Sequence, residues 1–245
     1  MDETKRNEKT YLLKEEMMLA ETLVFLPGVL SDHRVWSYQI SHLSELVTCR
    51  VIPLVTSNNT SDLLQTVLSQ VEGNFFLAGH SMGGWLALEL ARKVPERVLK
   101  LCLLNTSAQP DSVAKQQSRM EMIQAVEQGA FQTVAAALAE RYVYSKKVKK
   151  DVLSMFLSVG EQAFVNQQKA LLTRQECSSF LHQLPMPTLV IHAQQDKNFS
   201  LAVHQELVAK IPQAKLAIIE DSGHMCPMES PQAVTALLRF WLNYF

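Results

Sequence analysis

An apolar run that passes straight through a glycine-rich serine turn into a helix constrains this chain more than any other stretch. Residues 75–92 read FFLAGHSMGGWLALELAR: a short strand-like run, then Gly79-His80-Ser81-Met82-Gly83-Gly84, then unbroken helical periodicity. A surface loop has no need of paired glycines, and a helix is weakened by them. Both are explained if the chain turns very tightly from strand to helix. Such a turn lifts the serine hydroxyl to the carboxyl edge of a sheet and forces its backbone into strain. Glycines two places before and after relieve the crowding, and Gly84 lets the helix lie close to the strands. The helix then starts at the serine, with its free N–H groups and positive dipole end facing the space where negative charge would develop. This is the strand–turn–helix context in which G-x-S-x-G presents a nucleophile.

The rest of the chain supplies the sheet that this turn requires. LVFL (23–26), LVTCRVIPLV (46–55), FFLA (75–78), VLKLCLLN (98–105), PTLVIHA (187–193) and KLAIIE (215–220) are short runs rich in aliphatic residues. Runs so apolar fit strands buried on both faces, and helical patterns alternate with them. The reading is an α/β fold, a doubly wound and mostly parallel sheet of six or seven strands. Too few residues precede LVFL for a full initial hairpin, so Tyr11–Leu13 is expected to form a remnant at most. Residues 107–184 break the alternation, with helical periodicity and no strand pattern. Phe131, Val134, Ala135, Leu138 and Tyr142 fall on one helical face, and Val152, Met155, Phe156 and Val159 repeat the spacing. The expected organisation is a core of residues 1–106 and 185–245 with a helical cap, 107–184, over the strand ends where ligands bind in open α/β sheets.

Composition narrows the function. A formal charge of −1 over 245 residues offers no basic field for nucleic acid. The single cationic run, Lys146 to Lys150, reads as a solvated helix end. Cys49, Cys102, Cys177 and Cys226 lack metal-ligand spacing and read as free thiols of a reducing compartment. No stretch reaches membrane-span length, and the charged start, MDETKRNEKT, has no apolar leader core. A soluble cytoplasmic protein is expected, monomer or homodimer, with no nucleic-acid or membrane partner and no cofactor or metal.

A serine nucleophile needs a base, and the base needs an orienting carboxylate. Of seven histidines, His33, His42, His182 and His204 lie in polar or amphipathic surroundings that suit a surface. His80 lies inside the turn and reads as structural, and His192 sits within a strand. His224 follows KLAIIE and a short Asp221-Ser222-Gly223 turn, so it hangs from a loop at a strand's carboxyl end. PTLVIHAQQD places Asp196 the same way; Asp221, only three residues from His224, reads as a turn former. For the developing oxyanion, the N–H of Met82 is one donor and that of Val29, in the loop LVFLPGVLSDHRVW, the other. Gly28 permits the close approach.

LPGVLSDHRVW, GHSMGGWLALELA, PTLVIHAQQD and DSGHMCPMESP together resemble the α/β-hydrolase superfamily, specifically its compact serine hydrolases with a helical cap. The chain order Ser81, Asp196, His224 is the order of that family. Two positions depart from it: Pro27-Gly28 stands where His-Gly is usual, and Ala193 replaces a glycine common before the acid. The resemblance also separates subfamilies. Dehalogenases and epoxide hydrolases carry aspartate where Ser81 stands, menaquinone-pathway synthases carry arginine at the position of Trp85, and carbon–carbon hydrolases usually carry tryptophan at that of Met225. It implies an esterase or lactonase working through an acyl-enzyme on a small-molecule ester or lactone. Leu30, Trp36, Met120, Met155, Phe156 and Phe164 are expected to line an apolar substrate pocket. Two other readings are a lyase or carbon–carbon hydrolase that binds an anionic metabolite through Arg119, Arg141 and Arg174, and a catalytically silent ligand-binding protein.

Overall fold

Each of the six apolar runs contributes a strand: β1 (Thr22–Leu26), β2 (Thr48–Val51), β3 (Phe75–His80), β4 (Val98–Leu104), β5 (Thr188–Ala193) and β6 (Ala214–Ile219). The computed structural model describes residues 21–245, so Tyr11–Leu13 lies outside the described residues. The strands form one sheet in the order β2-β1-β3-β4-β5-β6, and every pairing is parallel. β3 and β5 are buried at every position, as strands covered on both faces must be, whereas the edge strands β2 and β6 are partly exposed.

β2 is shorter than the run that contains it. The Leu46 and Val47 amides turn back to the Leu43 carbonyl at 2.8 and 3.0 Å, and Pro53 has no N–H to offer a ladder. The sheet therefore begins only at Thr48 and ends before the proline.

Helices connect the strands: α1 (Ser37–Leu43), α2 (Thr60–Leu68), α3 (Met82–Lys93), α4 (Val113–Glu127), α5 (Phe131–Tyr142), α6 (Lys149–Val159), α7 (Glu161–Leu172), α8 (Leu201–Lys210), α9 (Cys226–Glu229) and α10 (Pro231–Tyr244). α3 starts at Met82, directly after the serine. α4 to α7 fill the segment between β4 and β5, where no strand pattern occurs. α4 packs on α5 and α7, and α5 packs on α6. Side chains from the loops stop the helix starts from fraying. Asn59 accepts the Asp62 amide at 2.9 Å ahead of α2, and Ser112 accepts the Lys115 amide at 3.3 Å ahead of α4.

The topology decides where chemistry can occur. From β1 the chain moves outward to β2, then returns to the other side of β1 to form β3, so the two connections leave the sheet in opposite directions. A crevice opens at such a reversal, at the carboxyl ends of the strands. The register sets Leu26 beside Gly79, and Gly79 beside Leu103. The loop carrying Val29, the turn carrying Ser81 and the residues after β4 thus emerge side by side.

Candidate active site

Ser81 sits at φ 55°, ψ −115°, a conformation that side-chain-bearing residues rarely adopt. Such a residue costs on the order of 1–3 kcal/mol and persists only where its surroundings hold it. Here they do. The Ser81 carbonyl accepts the Gly84 and Trp85 amides at 3.0 and 3.2 Å and the Thr106 hydroxyl at 2.7 Å. A Cβ on Gly79 would collide with the backbone of Gly83 and Gly84, and one on Gly83 with the carbonyls of Leu26 and Pro27. The two glycines are therefore required by backbone-to-backbone contact, as the tight turn implies.

His224 Nε2 lies 2.9 Å from Ser81 Oγ, and its Nδ1 lies 2.8 Å from Asp196 Oδ2. The side chains of His224 and Asp196 are 2% and 0% exposed, so water does not compete for this contact. Burial would raise the Asp196 carboxyl, but the facing imidazole and the Asn198 amide, 2.7 Å from Oδ1, outweigh it and hold it below the usual carboxylate range. An ionised Asp196 can only accept, which assigns the proton to His224 Nδ1 and leaves Nε2 as the acceptor facing the serine. Asp221 is exposed and turns the chain at φ 53°.

Several residues that sequence reasoning did not single out hold His224 in place. The His224 carbonyl accepts His80 Nε2 at 2.7 Å and Asn105 Nδ2 at 3.0 Å, and its amide donates to the Tyr142 carbonyl at 2.8 Å. His80 has the structural place expected of it: burial, and next the neighbouring His224, push it down to about 3, so it stays neutral and donates. Asn105, at φ 44°, also accepts the Ala193 amide at 2.9 Å, clipping the end of β4 to the end of β5 and to the histidine loop. Glu229 accepts four amides: Tyr144 and Ser145 at 2.7 and 2.8 Å, and Gly223 and Met225 at 3.1 Å each. One carboxylate thus ties the end of α5 to the loop carrying His224. The available signals were an Asn-Thr pair directly after an apolar strand and a glutamate in the short helix after the histidine.

Ser81 and His224 border a cavity of about 570 Å³, together with Val29 and Met82. None of Leu30, Trp36, Met120, Met155, Phe156 and Phe164 lines it. Leu30, Trp36, Met155, Phe156 and Phe164 are fully buried and belong to the core, while Met120 is 47% exposed on the outer face of α4. Their apolar periodicity marks the faces that helices pack against the sheet and one another. The apolar part of the cavity wall comes instead from Met122, Val134, Leu138, Leu171 and Phe199. Arg119, Arg141, Arg174 and Lys115 also line it. Lys115, Arg119 and Met122 recur at i, i+4 and i+7, so a mixed polar stripe, not an apolar one, marks the cavity face of α4. His204, expected at a surface, is fully buried, its ring 4.5 Å from that of His192.

Among the described residues no group of three or more His, Cys, Asp or Glu is placed to hold a metal ion, and no helix is long and apolar enough to cross a membrane.

The sequence profile of the Alpha/beta hydrolase family matches residues 23–237, which takes in the serine turn, the acid loop and the histidine loop. The chain belongs to this family. A pimeloyl-[acyl-carrier protein] methyl ester esterase of Aromatoleum aromaticum is 26% identical over 243 residues, 88% of this chain and 96% of that one. The biotin biosynthesis bifunctional protein BioHC of Cellvibrio japonicus is 26% identical over 239 residues, 91% of this chain but 47% of its own length, so the chain spans about half of that relative. A thermophilic esterase from Thermogutta terrifontis shares the fold with a TM-score of 0.82 and 24% identity, covering 91% of this chain and 89% of the other.

Proposed function

We propose that this member of the α/β-hydrolase family is a serine hydrolase that cleaves a carboxylic ester or lactone through an acyl-enzyme. The observation that carries this reading is the unbroken Ser81–His224–Asp196 relay, with contacts of 2.9 and 2.8 Å, at the wall of the cavity. Its Nδ1–H fixed on Asp196, His224 takes the Ser81 proton on Nε2 as Oγ attacks the ester carbonyl. The carbonyl oxygen becomes an oxyanion, which in this reading the amides of Val29 and Met82, two residues of the cavity wall, receive. Each donor of this kind contributes about 3 kcal/mol in the transition state. Collapse of the tetrahedral intermediate breaks the bond to the alcohol oxygen, and the alcohol leaves with the proton from Nε2. A water molecule, deprotonated by the same nitrogen, then releases the acid and restores Ser81.

A serine-directed fluorophosphonate and a series of p-nitrophenyl esters test the reading. The native protein should label and turn over, and Ser81→Ala should do neither. Loss of the serine is expected to lower turnover by on the order of a million-fold. Residual turnover above about one per cent of native would remove Ser81 from the nucleophile's role, since triad serines do not leave so much behind.

A further inference from the structure

The cavity wall beside Ser81 carries more positive charge than the described residues balance. Lys115, Arg119, Arg141 and Arg174 all line it, and among the described residues no carboxylate does. One carboxylate, Asp111, lies behind three of them. It meets Arg119 at 2.5 Å, Lys115 at 3.4 Å and Arg174 at 4.0 Å. Among the described residues Arg141 finds only neutral acceptors, Asn198 Oδ1 and the Lys197 carbonyl.

The arginines are not long side chains stretched out into water. Arg119 and Arg174 are 9% and 8% exposed. The second donor of Arg119 goes to Gln168 Oε1 at 2.6 Å. Arg174 gives Nη2 to the Ser107 carbonyl at 2.5 Å and lies over the Trp85 ring, while its buried Nε has no partner among the described residues. Among the described residues, three cations held this firmly around a single aspartate leave two positive charges without a counter-ion against a cavity. Desolvating unpaired cations is unfavourable. An anion entering the cavity would complete the cluster.

Resting on the ester-hydrolase reading above, we propose that the substrate carries a carboxylate remote from the scissile ester, held by Lys115, Arg119 and Arg174. Met122, Val134, Leu138 and Leu171 in the same wall suit an aliphatic chain between the two groups. The substrate class is then the half-ester of an aliphatic dicarboxylic acid or the ester of a hydroxy acid. The guanidinium fork favours a planar carboxylate, which it can meet through two parallel hydrogen bonds.

Two matched pairs test this: monoethyl against diethyl adipate, and 6-acetoxyhexanoic acid against its methyl ester. The acid should be the better substrate in at least one pair, by roughly tenfold in kcat/KM, the effect of one charge-assisted contact. That preference should shrink as salt rises. Lys115→Gln, at a part-exposed side chain, should cut the acid-over-neutral ratio by a similar factor. Binding to the Ser81→Ala protein separates the two readings, because titration calorimetry with monoethyl and diethyl adipate requires no turnover. Tighter binding of the half-ester supports the anion site whether or not Ser81 is the nucleophile. Serine-dependent hydrolysis that prefers the neutral ester in both pairs, or equal binding of both adipates, would overturn the anion site and leave the hydrolase reading standing.

Discussion

The sheet edge and the helical segment above it both line the cavity, yet they are built by different rules. At the sheet edge, position is dictated by backbone. Ser81, Asp196 and His224 lie in the turns that follow β3, β5 and β6, and parallel register brings the strand ends together. In the helical segment, position is dictated by which side of each helix finds a packing partner. Met120 and Met122 are two residues apart on α4, and one faces solvent while the other faces the cavity. A residue of known chemistry can therefore be placed from its strand, but a residue on an inserted helix cannot be placed until the helix's own partner is known.

The contrast breaks most decisively at the acid. Asp196→Asn should lower turnover by about ten-thousand-fold, because an amide facing His224 Nδ1 favours the wrong tautomer. Asp221→Asn, at an exposed turn, should leave turnover close to native. Steady-state kinetics on both variants decide the matter, and the reverse ranking would show that a strand-end position does not assign the role.

Glu229 sits where the two regions meet. Gln in its place keeps one acceptor oxygen but sets an amide NH2 against two backbone N–H groups that now share the other. His224 should lose its fixed position, and a displacement of about 1 Å at a reacting group can cost a hundredfold in turnover. Glu229→Gln should accordingly lower kcat by about that factor while KM changes far less. A kcat within twofold of native would mean that the Asn105 and His80 contacts alone hold the loop.

The helix pair on α4 gives a smaller, sharper test. Met122→Trp should fill the cavity and lower kcat/KM for hexanoyl relative to acetyl esters, by roughly tenfold. Met120→Trp should change neither. Equal effects from both would mean that α4 does not present the face described.

These outcomes reflect what was legible in the residues. The strands could be read from their apolar runs, and the three strand-end side chains from FFLAGHSMGGW, PTLVIHAQQD and DSGHMCPM, because tight turns require particular residues at fixed offsets. The pocket could not. Met155, Phe156 and Phe164 obey the same helical spacing as a cavity lining would, and apolar periodicity records burial without saying against what. Arg119 and Arg174 were visible as cations, but only their common approach to Asp111 reveals a cluster. His204 shows the same limit from the other side: its amphipathic neighbours suggested solvent, whereas α8 turns it inward against His192.

That buried ring yields the smallest effect, and one that needs no substrate. Burial pushes His204 down to about 4, even though its Nδ1 donates to the Ser200 carbonyl at 3.0 Å. An unfolded chain holds the same imidazole near its ordinary value of about 6.5. Between these values the unfolded state binds a proton that the folded state refuses, so stability rises with pH across the window and is lost as pH falls from about 6.5 toward 4. Each such group contributes at most about 1.4 kcal/mol per pH unit. His80, pushed down to about 3, adds to the same slope. Asp196, held low, contributes stability that disappears only as pH falls below the ordinary carboxylate range, so it does not mask the effect. His204→Gln should therefore make the loss of stability between pH 6.5 and 5 shallower by up to about 1 kcal/mol per pH unit. Urea unfolding of both proteins at half-unit intervals measures this, and parallel slopes would show that the ring is protonated as readily in the folded protein as in the unfolded chain.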